Sequence, residues 1–163
     1  MTSRQSKFQS IAAELGHSFD GEIKIGGNYT SVVCHGDTAY VSGQIPRVGN
    51  TVVVTGKAGL DVSLADAQKA AKVCAMRALA LLTQKLGSLD AIAQVLRMTV
   101  YVQSNHDFTQ QSEVSDSASE VLYAVLGEAG VHTRTSVGVA QLPKNASVEL
   151  DLIVATTPLA SNL

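Results

Sequence analysis

The stretch "GVHTRTSVGVAQLPKNASVELDLIV", residues 130–154, decides how the chain is read. Its two β-rich halves, parted by a turn near Pro143, predict a terminal hairpin. Each half carries a charged residue that a strand does not need: Arg134 between two threonines, and Glu149 between Val148 and Leu150. Alternation puts Arg134, Ser136, Gly138 and Ala140 on one face and Thr135, Val137, Val139 and Gln141 on the other. The polar and small residues share a face, as they would around a small polar ligand. A planar guanidinium suits two parallel hydrogen bonds to a carboxylate, which makes Arg134 a candidate clamp. The alternative is a structural salt bridge. A tight turn at Leu142-Pro143 sets Glu149 opposite Ser136, with Arg134 diagonal at roughly 7–8 Å. A looser turn centred on Lys144 sets Glu149 opposite Val139, about 17 Å along the strand from Arg134, and the two then cooperate only across a subunit boundary.

Outward from this stretch the pattern is regular. "SEVSDSASEVLYAVLGEAG" predicts a helix capped at Ser112 or Ser115 and closed by Gly127 or Gly130. "IAQVLRMTVYVQS" predicts a long strand over 92–104, with Leu96, Met98, Val100 and Val102 on a fully apolar face. "SLADAQKAAKVCAMRALALLTQKLG" has Ser63 as N-cap and Gly87 as C-cap, with Ala67, Ala71, Cys74, Ala78, Leu81 and Leu82 on one stripe. A stripe so rich in alanine lets the helix axis lie close against a sheet. "TVVVTG" at 51–56 is expected to add a third strand to the sheet that a hairpin of 29–35 and 38–44 begins, turning at Gly36-Asp37. "SKFQSIAAELG" predicts a short N-terminal helix ending at Gly16. The order is βββαβαββ after a leading helix, an α+β class with two helices on one face of a mixed sheet. The chain reads as one domain over 1–163, with 1–27 an extension of helix and loop and 28–155 the core.

Composition bounds the function. At 163 residues the chain buries a real core without metal or disulfide staples. Apolar residues make up 45% and charged ones 16%, little charge for the surface of so small a monomer, which points to surface hidden in an oligomer. Twelve Lys and Arg against 14 Asp and Glu, with no basic run, argue against a nucleic-acid partner. No apolar run approaches the ~20 residues that span a bilayer, and the first residues lack a signal-peptide pattern, so no membrane partner and a cytoplasmic location are expected. Cys34 and Cys74 read as buried thiols without chemistry. His17, His35, His106 and His132 have no metal-ligand spacing, so no metal is expected. Ser42, at a strand end before Gly43, lacks the GxSxG frame and reads as a turn serine or a donor in a ligand pocket.

From Asn28 to Val154 the chain resembles the RidA/YjgF family of enamine/imine deaminases, on "NYTSVVCHGDTAYVSGQIP", "TVYVQSNHDF" and "RTSVGVAQLPKNASVELDLIV". The resemblance implies a chorismate-mutase-like fold, a homotrimer with ligand sites in the clefts between subunits, and no cofactor. It implies hydrolysis of 2-aminoacrylate-type enamines and their imine tautomers to 2-keto acids and ammonia. The family's carboxylate-binding arginine falls on Arg134 and its water-positioning acid on Glu149. Its cleft tyrosine and serine fall on Tyr29 and Ser42, with Gly43 offering backbone beside them. Ser136 stands where the family often has cysteine, and the family's cleft asparagine falls on Asp116, a carboxylate that opposes an anionic ligand unless protonated or turned away. A subgroup with "GEAGVHTR" before the arginine is often labelled endoribonuclease, an activity that the charge balance disfavours. A non-catalytic trimer that binds small keto acids is the second expectation.

Overall fold

A computed structural model describes residues 2–158. α1 spans Arg4–Leu15, capped by the Ser3 side chain and closed by Gly16. β1 (Val32–His35) and β2 (Thr38–Gln44) form an antiparallel hairpin. Its two-residue turn has Gly36 at φ 56°, a sign that only glycine takes freely. The first strand begins at Val32 rather than at Tyr29.

The expected third strand leaves this sheet. β4 (Thr51–Val52) pairs with β3 (Arg47–Val48) in a separate two-stranded ribbon. Two residues are too few to continue a ladder, and Gly49-Asn50 folds them back as a small hairpin instead.

α2 (Leu64–Leu86) carries the Ser63 cap, whose side chain accepts from the Asp66 amide, and ends at Gly87 in the left-handed conformation. Its alanine-rich stripe is buried: Ala67, Ala71, Cys74 and Ala78 have no exposed surface. With side chains this short, α2 lies against both the sheet and α3 (Gln111–Leu126). α3 has no side-chain cap at Gln110, and neither candidate serine caps it. Ser115 instead donates to the Gln111 carbonyl inside the helix, and Ser112 turns to Arg134. α1 packs on the helical layer through Phe8 and Ala12, and Arg4 donates to the Leu89 and Ile92 carbonyls.

β5 (Ile92–Gln103), β6 (Thr133–Val139) and β7 (Val148–Thr156) complete a five-stranded sheet of order β1-β2-β7-β5-β6. The predicted terminal hairpin does not form. β6 runs parallel to β5, as a strand returned by the α3 crossover must, and β7 enters between β2 and β5. Residues 140–147 carry the chain across the end of β5, a span longer than a hairpin loop needs. The alternation of β5 also changes phase. A register shift between Val95 and Arg97 sends Val95 into the core and leaves Leu96 41% exposed, so the apolar face is Val95, Met98, Val100 and Val102.

Gln103 holds the crossing segment. It is 2% exposed; its Oε1 accepts from the Leu142 amide at 2.7 Å and its Nε2 donates to Asn145 Oδ1 at 2.7 Å. A turn through Pro143–Asn145 follows, with Lys144 and Asn145 both at positive φ (59° and 57°). α2 and α3 cover one face of the sheet, with α1 packed on them. The other face is uncovered and presents Val33, Tyr40 and Val137, each more than a third exposed. Cys34, expected to be buried, is exposed in the edge strand β1, whereas Cys74 is enclosed and burial pushes its thiol pKa up. Among the described residues no helix is long and apolar enough to cross a membrane.

Replacing Gln103 by leucine keeps the bulk and removes both bonds to the crossing segment, leaving buried polar groups without partners. We expect a loss of about 1–3 kcal/mol, read as a Tm lowered by roughly 2–10 °C in a thermal melt.

Candidate functional site

Insertion of β7 between β2 and β5 brings Glu149 beside the end of β2. Glu149 pairs with Tyr101 across β5, while its neighbours Val148 and Leu150 are fully buried under the helices. The carboxylate therefore leaves the uncovered face and folds over Gly43. A Cβ at position 43 would sit 2.1 Å from Glu149 Oε1 and 2.9 Å from Cδ, so the absent side chain is the room the carboxylate occupies. A cavity of about 210 Å³ opens here, with Tyr29, Ser42, Gly43 and Glu149 in its wall. Four of the residues expected to bind ligand are thus together in one chain. The Ser42 hydroxyl accepts a 3.3 Å bond from Gln44 Nε2, and its amide donates to the Ser31 carbonyl.

Burial raises the Glu149 pKa above the ordinary carboxylate range, and the negative charge of Asp151 raises it further. Strand alternation puts residues 149 and 151 on the same face, so the second carboxylate was readable from "ELD". Asp151 is itself raised by burial, partly offset by hydrogen bonds from Tyr101 and Thr99 and by the charge of Arg97.

Arg134 lies elsewhere. It pairs with Met98, a fully buried residue of the helix-covered face, so within one chain Arg134 and Glu149 leave opposite faces of the sheet. Neither turn geometry considered for a hairpin applies, because β5 stands between the two strands. Two strand spacings and three residues of rise put their Cα atoms about 14 Å apart. Arg134 Nη1 donates to Asp116 Oδ1 at 2.8 Å and to Ser119 Oγ at 2.9 Å, and Nη2 donates to the Ser112 hydroxyl and carbonyl. In its own chain it makes the structural ion pair that was the alternative to a clamp. Asp116 is the carboxylate of that pair and remains exposed. Ser136 is on the same face as Arg134, its buried hydroxyl without a partner, and Gly138 leaves space for Ser104 and Gln111 at the start of α3. The small residues of β6 make room for a helix.

Arg47, Arg77 and Lys144 also line the cavity, and nothing in the reading of the sequence singled them out. The signal for Arg77 was present: it follows Cys74 by three residues and precedes Leu81 by four, which puts a cation on the buried stripe of α2. Arg77 is 5% exposed and donates to the Arg47 carbonyl at 2.6 Å, while its Nε and that of Arg47 are buried without partners.

A metabolite-sized pocket at the end of a mixed sheet backed by helices on one side defines a small-molecule-binding α+β protein. Residues 20–156 match the family described as endoribonuclease L-PSP. The chain belongs to this family, RidA/YjgF. It is 41% identical over 128 residues to Protein TCP17 of Trypanosoma cruzi, a match covering 78% of this chain and 80% of that protein. The crystal structure of Atu1372 from Agrobacterium tumefaciens is 38% identical, covers 94% of both chains and superposes with a TM-score of 0.83. The YjgF product of E. coli shares the fold at 22% identity and a TM-score of 0.60, over 85% of this chain and 95% of its own.

Since an ionised Asp151 opposes a second negative charge, Asp151→Asn is expected to lower the Glu149 pKa, followed by carboxyl NMR titration. Gly43→Ala should displace the flexible Glu149 carboxylate while leaving the melting temperature nearly unchanged, since only a side-chain end must move.

Proposed function

We propose that the protein hydrolyses reactive imines of 2-amino acids, tautomers of 2-aminoacrylate-type enamines, to 2-keto acids and ammonia. The observation that carries this reading is the Glu149 carboxylate, lodged over Gly43 in the wall of a small pocket with a raised pKa. A carboxylate with its pKa moved toward neutrality is a better general base than an ordinary one.

In the reaction, a water held by Glu149 adds to the imine carbon. The new C–O bond forms as the C=N π pair moves to nitrogen, and Glu149 takes the proton that the water releases. That proton passes to the nitrogen, giving a carbinolamine; its hydroxyl proton then moves by way of Glu149 to the amine as the oxygen lone pair forms the C=O bond and the C–N bond breaks, so that ammonia leaves and the carboxylate is regenerated. Imines hydrolyse readily in water, so orientation and modest acid–base help suffice. Tyr29 and Ser42 stand at the same wall to orient the substrate. Arg134 acts as carboxylate clamp from a second copy, exchanging its exposed Asp116 partner for the substrate carboxylate, since its own chain sends it to the opposite face of the sheet from Glu149. A homotrimer supplies that copy and covers the open face bearing Val33, Tyr40 and Val137. The related TdcF of E. coli, a fold match at 24% identity and a TM-score of 0.58, has been solved with bound serine, an amino acid of the size this pocket takes.

The test is hydrolysis of enzymatically generated 2-iminopropanoate. Wild-type protein should accelerate its decay, with kcat/KM rising with pH through the raised Glu149 pKa. Glu149→Gln should lower kcat by about 10²–10⁴-fold with ligand affinity kept, and Arg134→Ala should weaken binding of substrate. Glu149 is raised on folding, so its folded form favours the protonated acid, and the stability this contributes is lost as pH rises through the folded pKa. Glu149→Gln is therefore expected to raise Tm more at pH 7 than at pH 4, read from thermal melts of the two proteins at both pH values. Keto-acid binding without any wild-type turnover would leave a binding protein in place of an enzyme.

A further inference from the structure

Resting on that reading, we infer that Arg77 and Arg47 form an anion subsite in the pocket, so that the preferred substrates are imines of amino acids with a second, side-chain carboxylate. The lining is strongly cationic. Lys24, Arg47, Arg77 and Lys144 contribute four positive charges, against the single carboxylate of Glu149. A 2-imino acid with an apolar side chain brings one negative charge to this wall; a diacid brings two.

Arg77 is the reason to read the cations as a site rather than as solvated surface. A guanidinium 5% exposed is a charge withdrawn from water, and no carboxylate among the described residues lies within 4 Å of it or of Arg47. Its Nη1 and Nη2 bonds go to the carbonyls of Arg47 and Lys24, which orient the group without neutralising it. The buried Nε atoms of Arg77 and Arg47 have no acceptor among the described residues. A buried charge that keeps a helix in its fold is ordinarily paired, and an unpaired one in a ligand pocket is a place for an anion. Burial lowers the Arg77 pKa and the charge of Arg47 adds to this, the direction that an incoming carboxylate reverses.

The fold sets the distance between the two ends of the ligand. Cys74 Sγ donates to the Val148 carbonyl, so that turn of α2 lies under the strand next to Glu149, and Arg77 is one turn further along the helix. Arg77 thus faces the pocket from the helix layer and Glu149 from β7. A short diacid imine spans them, with its reacting carbon at Glu149 and its side-chain carboxylate at the guanidinium pair. A planar fork holds that carboxylate by two bonds, which a lysine does not reproduce.

The experiment compares equilibrium binding of succinate and butyrate to the full chain by NMR titration, together with turnover of 2-iminosuccinate and 2-iminobutanoate. We expect succinate to bind at least about tenfold tighter, the scale of one charge-assisted contact, and the diacid imine to show the higher kcat/KM. Arg77→Gln should bring the affinity ratio close to one, with Arg77→Lys and Arg47→Gln intermediate and available if Arg77→Gln does not fold. Equal affinity of the wild-type protein for the two acids overturns the subsite and shows that the pair is neutralised within the assembly. A ratio that Arg77→Gln, or Arg47→Gln in its place, leaves unchanged overturns it as well. Succinate preference without turnover of any imine keeps the subsite and sinks the deaminase reading, whereas turnover without preference does the reverse.

Discussion

The structure depends on where β7 goes. A chain leaving β6 at the sheet edge has to pass the end of β5 before it can pair on β5's other side, and a buried glutamine makes that passage. Gln103 satisfies the Leu142 amide and the Asn145 side chain from the last position of β5, and its backbone amide donates to the Ser147 carbonyl. These bonds give partners to the Leu142 amide, the Asn145 side chain and the Ser147 carbonyl as the segment passes the end of β5. β7 then pairs on both edges, and its Val148, Leu150, Leu152 and Val154 complete the surface on which α2 lies.

Function follows from the same placement. Glu149 reaches Gly43 because β2, rather than β6, is its neighbour on the side away from β5. The missing Cβ leaves room for the carboxylate, and its half-burial with the nearby Asp151 makes an acid that holds its proton more tightly than a surface one. By contrast, Arg134 is tied to the first turns of α3, where Asp116 supplies the charge it needs. The two residues that the sequence marks as a pair belong to two separate neighbourhoods of one chain.

The legible part of the fold was local. Ser63 and Gly87 bound α2 as capping chemistry requires, Gly36 turns the first hairpin, and the alanine stripe is the buried face. Misreadings came where a non-local partner outweighed a local pattern. Two β-rich runs around a proline look like a hairpin whichever strand each one finally joins, and "TVVVTG" has strand propensity, yet only Thr51 and Val52 form a strand, folded back on Arg47–Val48 by the Gly49-Asn50 turn. The bulge in β5 turned Leu96 outward because register there answers to β7. For the site, Tyr29, Ser42, Gly43 and Glu149 were legible and are together, whereas Arg47 and Arg77 were not, since one is in a short ribbon and the other reads as a helix cation.

By itself the sequence determined the helices, both ends of α2, most of the strand segments of the main sheet, the family and the chemical types at the pocket wall, because each rests on periodicity, capping or side-chain identity within a few neighbouring residues. Only the tertiary structure decided the strand order, the opposite faces of Arg134 and Glu149, and the convergence of Arg47 and Arg77 on one cavity. Those depend on pairing between segments far apart in the chain, where several registers satisfy the same local pattern and burial of the whole sheet selects one.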